Sequence, residues 1–142
     1  MNTVIVRHAR AADRSVVERF YQEAGYGTRV SEAATVFLAE LSGELVGLVR
    51  LEPEQGVVVL RGMRVASAYQ RQGIGTLLLR AVDEHLGTSY CYCVPYAHLS
   101  RFYGQIGFIT LSPQDAPAFL LSRLIEYRDR GLDVLLMWRG HS

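Results

Sequence analysis

The sequence predicts an α/β fold: a mixed central sheet with helices on both faces. Three observations carry that expectation. Four strand-like runs, Thr3–His8, Thr35–Leu41, Glu44–Leu51 and Val57–Val65, crowd the first half. The last of them leads through two glycines, Gly73 and Gly75, into a stretch with helical spacing, Ile74–Leu86. Short strand-like runs then return at Tyr90–Val94, Phe108–Leu111 and Asp133–Trp138. Successive strands followed by strand–helix–strand fill such a sheet from one side and cover both its faces.

Taken in order, Thr3–His8 alternates as a first strand. Asp13 suits the cap of a helix whose Val16, Val17, Phe20, Tyr21 and Ala24 share one face, with Gly25-Tyr26-Gly27 ending it. Ser42-Gly43 joins the next two strands as a hairpin, and Pro53 to Gly56 turns the chain into Val57–Val65. In the following helix Ile74, Leu77, Leu78, Ala81, Val82 and Leu86 recur at helical spacing, and Gly87 closes it. Pro95 stops Tyr90–Val94 from continuing as a central strand, and a short helix carries Leu99 to Tyr103. Asp115–Arg130 holds Phe119, Leu120, Leu121, Leu124 and Ile125 in a helical setting between the last two strands.

Bulk properties bound the function. A chain of 142 residues suits a single domain, 1–142, with a substantial core. A net charge of +1 gives no electrostatic case for nucleic acid or an anionic membrane. No apolar run approaches the ~20 residues of a membrane span, and Met1–Arg10 lacks the apolar region of a signal peptide, so a cytoplasmic protein is expected. Cys91 and Cys93 point to one face of a strand, too close along it for a relaxed disulfide and too few for a metal site; they read as small buried apolar residues, and no metal is expected.

The glycine turn carries the chemistry. A strand that turns through paired glycines into a helix presents unpaired N–H groups and a positive dipole end, which suits a pyrophosphate. A Walker loop needs four residues between its glycines and then Lys-Ser or Lys-Thr, where this chain has Thr76-Leu77. A dinucleotide fingerprint needs a third glycine where Leu78 stands.

Gln70-Arg71-Gln72-Gly73-Ile74-Gly75 resembles the coenzyme A loop of the GNAT N-acetyltransferase superfamily: Arg or Gln, two residues, Gly, one residue, Gly or Ala. Downstream, Phe102-Tyr103-Gly104-Gln105-Ile106-Gly107-Phe108 resembles that family's motif B, and the likeness spans roughly Val4 to Phe108. The resemblance implies a mostly antiparallel sheet with a splayed parallel pair, and acetyl-CoA as co-substrate. It places the pyrophosphate on Gln70 to Thr76 and the pantetheine along the backbone of Met63 and Val65, opposite Cys91 to Cys93. It points the Val65 N–H at the thioester oxygen and makes Tyr103 the general acid for the departing thiolate. Met63 and Val65 side chains are core residues on either view, and a buried tyrosine with a satisfied hydroxyl is the other account of Tyr103.

The base is missing. Several family members carry Glu or His on the fourth strand, on the face expected here to bear Val59, Arg61 and Met63. His98, Glu23, Glu52 and Glu126 remain as candidates, each also readable as a surface charge. Arg61 either pairs with an internal acid such as Glu52 or binds a carboxylate or phosphate of the acceptor. Tyr21, Tyr26 and Tyr96 would line the acceptor cleft, and the 115–130 helix would either overlie that cleft or simply pack on the sheet. The leading expectation is direct acetyl transfer to a small-molecule primary amine. The alternatives are a non-catalytic acyl-CoA-binding module and an acetyltransferase of protein N-termini or lysines. A homodimer would be suggested if Trp138 or Phe119 were exposed.

Overall fold

Seven strands, β1 (Val4–His8), β2 (Thr35–Leu41), β3 (Glu44–Glu54), β4 (Val57–Val65), β5 (Cys91–Cys93), β6 (Ile109–Thr110) and β7 (Met137–Arg139), make one sheet in the computed structural model. The structure describes residues 3–26 and 29–140. Strand order is β1-β2-β3-β4-β5-β7-β6. Every neighbouring pair is antiparallel except β4 and β5, which run parallel. Helices α1 (Arg14–Glu23) and α4 (Ala118–Asp129) cover one face, and α2 (Ile74–Leu86) and α3 (Ser100–Gly104) the other.

Two hairpins set the register of the first four strands. Ser42 and Gly43 (φ 52° and 79°), then Gln55 and Gly56 (φ 48° and 86°), take the left-handed conformations that a two-residue hairpin loop requires. The second turn is shorter than the expected Pro53–Gly56, because Pro53 lies inside β3. It is tolerated there: β2 begins only opposite Leu51, so no strand waits for the N–H that proline lacks. The later strands are shorter than their apolar runs, and Val134 contributes a lone bridge to Tyr96.

Asp13 does not cap α1 with its side chain. A single 3-10 turn, Ala11–Asp13, precedes the helix, and the Asp13 carboxylate accepts the Arg10 N–H at 2.7 Å and the Arg7 guanidinium at 2.8 and 2.9 Å. Val17 and Tyr21 are buried as expected, while Val16 is 45% exposed. Gly25, with φ 86°, follows the helix; Gly27 lies outside the described residues. On the other face Ile74, Leu78, Leu79, Val82 and Leu86 of α2 are all buried. At about 1.5–3 kcal/mol each, that burial anchors the helix and makes its N-terminus a fixed point.

A bulge in β4 redirects the strand. Arg50 pairs with Arg61 and Leu48 with Arg64, so the step from 48 to 50 on β3 faces the longer step from 61 to 64 on β4. Gly62, at φ 64°, sits at that extra residue. Val59, Arg61 and Met63 were expected on one face; the bulge instead sends Met63 and Val65 into the core under α2, while Arg64 joins Arg61 on the α1 and α4 side.

Candidate active site

β4 and β5 pair only where Val59 meets Tyr92, and beyond that point the strands part. The open edge of β4 can be followed residue by residue. Ala66 donates its N–H to the Val46 carbonyl at 2.8 Å, so by strand alternation the Val65 N–H and carbonyl face away from β3, toward the gap. The Gln70 side chain donates to that Val65 carbonyl at 3.0 Å, tying the glycine turn to the strand end and leaving the Val65 N–H as the donor on that edge.

The turn itself is an open cradle. Arg71 and Gly73 adopt φ 65° and 80°, and no side chain caps α2. The first-turn N–H groups of Ile74, Gly75 and Thr76 therefore point outward at the positive end of a helix that the core holds still. A Cβ on Gly73 would project into open space. Gly75 also serves packing: a Cβ there would meet the Phe102 ring at 3.2 Å, so this glycine lets α2 pack against α3. The residues present fit a diphosphate at Gln70 to Thr76, on the chemistry of the donor set alone.

Between the parted strands lies a cavity of about 440 Å³. Leu60 to Arg64 of β4 form one wall, Cys93 to Tyr96 with Leu99 and Tyr103 the opposite one, and Arg123 and Tyr127 of α4, with Arg130 just past its end, a third. Leu120 and Leu124 pack on Val59, Val134 and Leu136 of the sheet, and the next face of α4 lines the cavity. A second cavity of about 360 Å³, between the start of α1 and β2, holds none of the expected site residues.

Tyr103 is 5% exposed, with Phe102 and Phe108 edge-on to its ring at 5.0 and 6.1 Å. No described residue hydrogen-bonds its hydroxyl, so the satisfied-hydroxyl account lacks its partner. Burial, reinforced by neighbouring Cys93, pushes its pKa well above the ordinary phenol value, so the proton stays on. Cys91 and Cys93 are free and buried. Burial pushes Cys91 up to about 12 and Cys93 well above the usual thiol range, although Cys93 lines the cavity.

The other candidates scatter. Tyr26 and Tyr96 line the cavity, and Tyr26 carries Arg64 over its ring at 5.5 Å. Tyr21 lies beneath the wall, its hydroxyl on the Gly62 carbonyl at 2.7 Å. His98 is exposed, stacked on Tyr96 at 5.8 Å, and outside the lining. Glu23 is exposed, and Glu126 is 69% exposed beside Arg130. Among the described lining residues there is no Asp, Glu or His. Phe119 and Trp138 are half-buried, the first under Arg123 and the second stacked on Tyr90 and Tyr92, so neither presents a bare apolar face.

Arg61 pairs with Glu54, at 3.6 Å, and not with Glu52. Glu52 is engaged by Arg50, whose Nε donates to it at 2.8 Å, and by the Ser31 hydroxyl at 2.5 Å. Arg50, Gly62 and Arg123 are site residues the sequence reading missed. A glycine inside a strand run is a signal of a bulge; Arg50 and Arg123 reach the cavity through register and helix rotation, which no local pattern announces. Among the described residues no group of His, Cys, Asp and Glu is placed to hold a metal ion, and no helix is long and apolar enough to cross a membrane.

No curated protein matches the chain in sequence. Solved structures match its fold. N-acetylglutamate synthase from Neisseria gonorrhoeae, complexed with coenzyme A and N-acetyl-glutamate, is similar at TM-score 0.67 and 22% identity, over 99% of this chain and 36% of that one. The chain thus spans about a third of that protein. Arabidopsis thaliana Naa50, in complex with the bisubstrate analogue CoA-Ac-MVNAL, is similar at TM-score 0.67 and 18% identity, over 97% and 99% of the two chains. The ribosomal-protein-S18-alanine N-acetyltransferase from Escherichia coli is similar at TM-score 0.68 and 17% identity, over 100% and 96%. Residues 31–110, which hold the β-hairpins, the open cradle and Tyr103, match the model of the acetyltransferase (GNAT) domain, and the chain belongs to that family.

Proposed function

We propose that residues 1–142 form a single acetyltransferase domain that moves the acetyl group of acetyl-CoA to a primary amine of a small molecule, by direct attack within a ternary complex. The observation that carries this is the hydroxyl of Tyr103, a buried residue that lines the cavity opening where β4 leaves β5, with no described hydrogen-bond partner for that hydroxyl. Bound acetyl-CoA would supply an activated acetyl group, whose bond to sulfur breaks as the bond to nitrogen forms. The N–H groups of Ile74 to Thr76 hold the diphosphate, and the β4 edge at Met63 and Val65 holds the pantetheine arm. The Val65 N–H offers a donor to charge developing on the carbonyl oxygen. Tyr103 keeps its proton at neutral pH and gives it to the departing thiolate, whose pKa of ~8.5 is well below its own.

With no acid or imidazole among the described lining residues, the acceptor ammonium loses its proton to water, and the free amine is the species that reacts. An acetyltransferase of protein N-termini needs a groove open to a peptide. Two structural neighbours act on or bind such acceptors by name, but here α4 stands over the cavity, pinned by Leu120 and Leu124. A binding module without catalysis is favoured only by the missing base. Thiol release from acetyl-CoA across a panel of amines tests the proposal: turnover with a small amine and none with peptides supports it. Tight CoA binding without transfer to any acceptor overturns it.

A further inference from the structure

Resting on that reading, we infer that the acceptor is an acidic amine, a small primary amine bearing a carboxylate or phosphate, and that its acid group seats on Arg50, Arg61 and Arg123. Arg50 is 2% exposed, and its Nη1 is a buried nitrogen with no hydrogen-bond partner, in a residue that lines the cavity. Its Nε is committed to Glu52, and its guanidinium stands 5.0 Å from the Tyr21 ring centre. A buried donor left unmade is costly, and folded proteins keep such a group where a ligand completes it.

Charge points the same way. Five arginines line the cavity, at 50, 61, 64, 123 and 130, and the carboxylates paired with them are Glu52, Glu54 and Glu126. Glu54 alone serves two of the guanidiniums, at 3.6 Å from Arg61 and 2.5 Å from Arg123. Arg64 has only the Ala24 carbonyl and the Tyr26 ring. Glu54 thereby holds an arginine from β4 beside one from α4, with more positive charge than it neutralises. A planar acid group that accepts from several guanidinium N–H groups fits such a wall, and an ammonium-rich acceptor such as a polyamine does not.

The test compares acetyl-CoA-dependent turnover of L-aspartate, L-glutamate, O-phospho-L-serine and phosphoethanolamine with that of L-alaninamide and spermidine. At least ~10-fold higher kcat/KM for the acidic amines is expected, and the carboxylate and phosphate arms decide between the two acid groups. Arg61→Gln and Arg123→Gln should raise the acceptor KM by ~10–100-fold while leaving CoA affinity and kcat near wild type. Thermal melts check that both variants fold, and Arg50→Lys, which keeps the charge but removes Nη1, should raise the acceptor KM as well. Equal or better turnover of the neutral or cationic amines overturns the inference, as does an unchanged KM in both glutamine variants. Should no amine be acetylated although CoA binds, the proposed function fails by itself. Calorimetry of the CoA-loaded protein with L-glutamate and O-phospho-L-serine then decides the acid site: binding weakened by Arg61→Gln upholds it, and no binding of either overturns it.

Discussion

The Tyr21 hydroxyl donates a hydrogen bond to the Gly62 carbonyl at 2.7 Å, fastening α1 to the bulge that turns β4 away from β5. The contact leaves no room for a side chain. Gly62 holds φ 64°, and a Cβ there would collide with the Arg50 guanidinium and the Tyr21 hydroxyl. Gly62→Ala therefore combines left-handed strain with overpacking and should cost about 2–4 kcal/mol. Tyr21→Phe leaves the carbonyl without that partner and should cost about 1–2 kcal/mol. Urea denaturation checks both; a Gly62→Ala midpoint equal to wild type would show that the bulge does not depend on glycine.

Glu52 predicts how the fold responds to acid. Burial alone would raise its pKa, but hydrogen bonds from Ser31 and Arg50 outweigh burial and hold the carboxyl below its usual range. The folded protein then binds fewer protons at this group than the unfolded chain. Its stabilisation is complete above the unfolded pKa of ~4.3 and drains away as pH falls through the lower folded value. Glu52→Gln strands the Arg50 charge and should cost roughly 3–5 kcal/mol at pH 7. That deficit should shrink below about pH 4, where the wild-type carboxylate is being lost as well. Stability curves for the two proteins at several pH values decide it.

The contrast between legible and hidden features follows range of interaction. The hairpin at Ser42-Gly43, the limits of α2 and the cradle at Gly73 depend on residues within a few positions of one another, and the sequence displays them. Pro53 misled because its tolerance inside β3 depends on where β2 begins. The face of Met63 misled because one residue inserted at the bulge reverses every later side chain in the strand. Arg61 pairs with an internal acid, as expected on one reading, but with Glu54, since Glu52 is already held by Arg50. The arginine wall was beyond reach for the same reason, being assembled from β3, β4 and α4 at long separations.

Cys93 separates direct attack from a route through an acetylated enzyme. It lines the cavity, yet burial raises its pKa well above the thiol range, so it is a thiol and not a thiolate at neutral pH. Cys93→Ala should keep turnover close to wild type and lose only about 1 kcal/mol of stability from the removed atom. Mass spectrometry after mixing with acetyl-CoA, without acceptor, should find unmodified protein. A stable acetyl adduct at Cys93, or loss of turnover in a folded Cys93→Ala, would establish the two-step route instead.

Tyr103 sets the shape of the pH profile. On the proposed route the free amine reacts without an enzyme base, so kcat/KM should climb tenfold per pH unit until it reaches the acceptor's own pKa, ~10 for an alkyl amine and ~8 for the α-amino group of an amino-acid amide. Replacing one acceptor by the other should move that limb by the difference of their pKa values, which a protein-borne base would not allow. At high pH the rate falls only when Tyr103 ionises, and burial has moved that event above the ordinary phenol value of ~10. With an amino-acid amide such as L-alaninamide as acceptor the plateau should therefore open near pH 8 and persist past pH 10. Tyr103→Phe should lower kcat by ~10²–10⁴ across the plateau at unchanged CoA affinity. An alkaline fall centred near pH 10, or a phenylalanine variant that turns over like wild type, would remove Tyr103 from the chemistry.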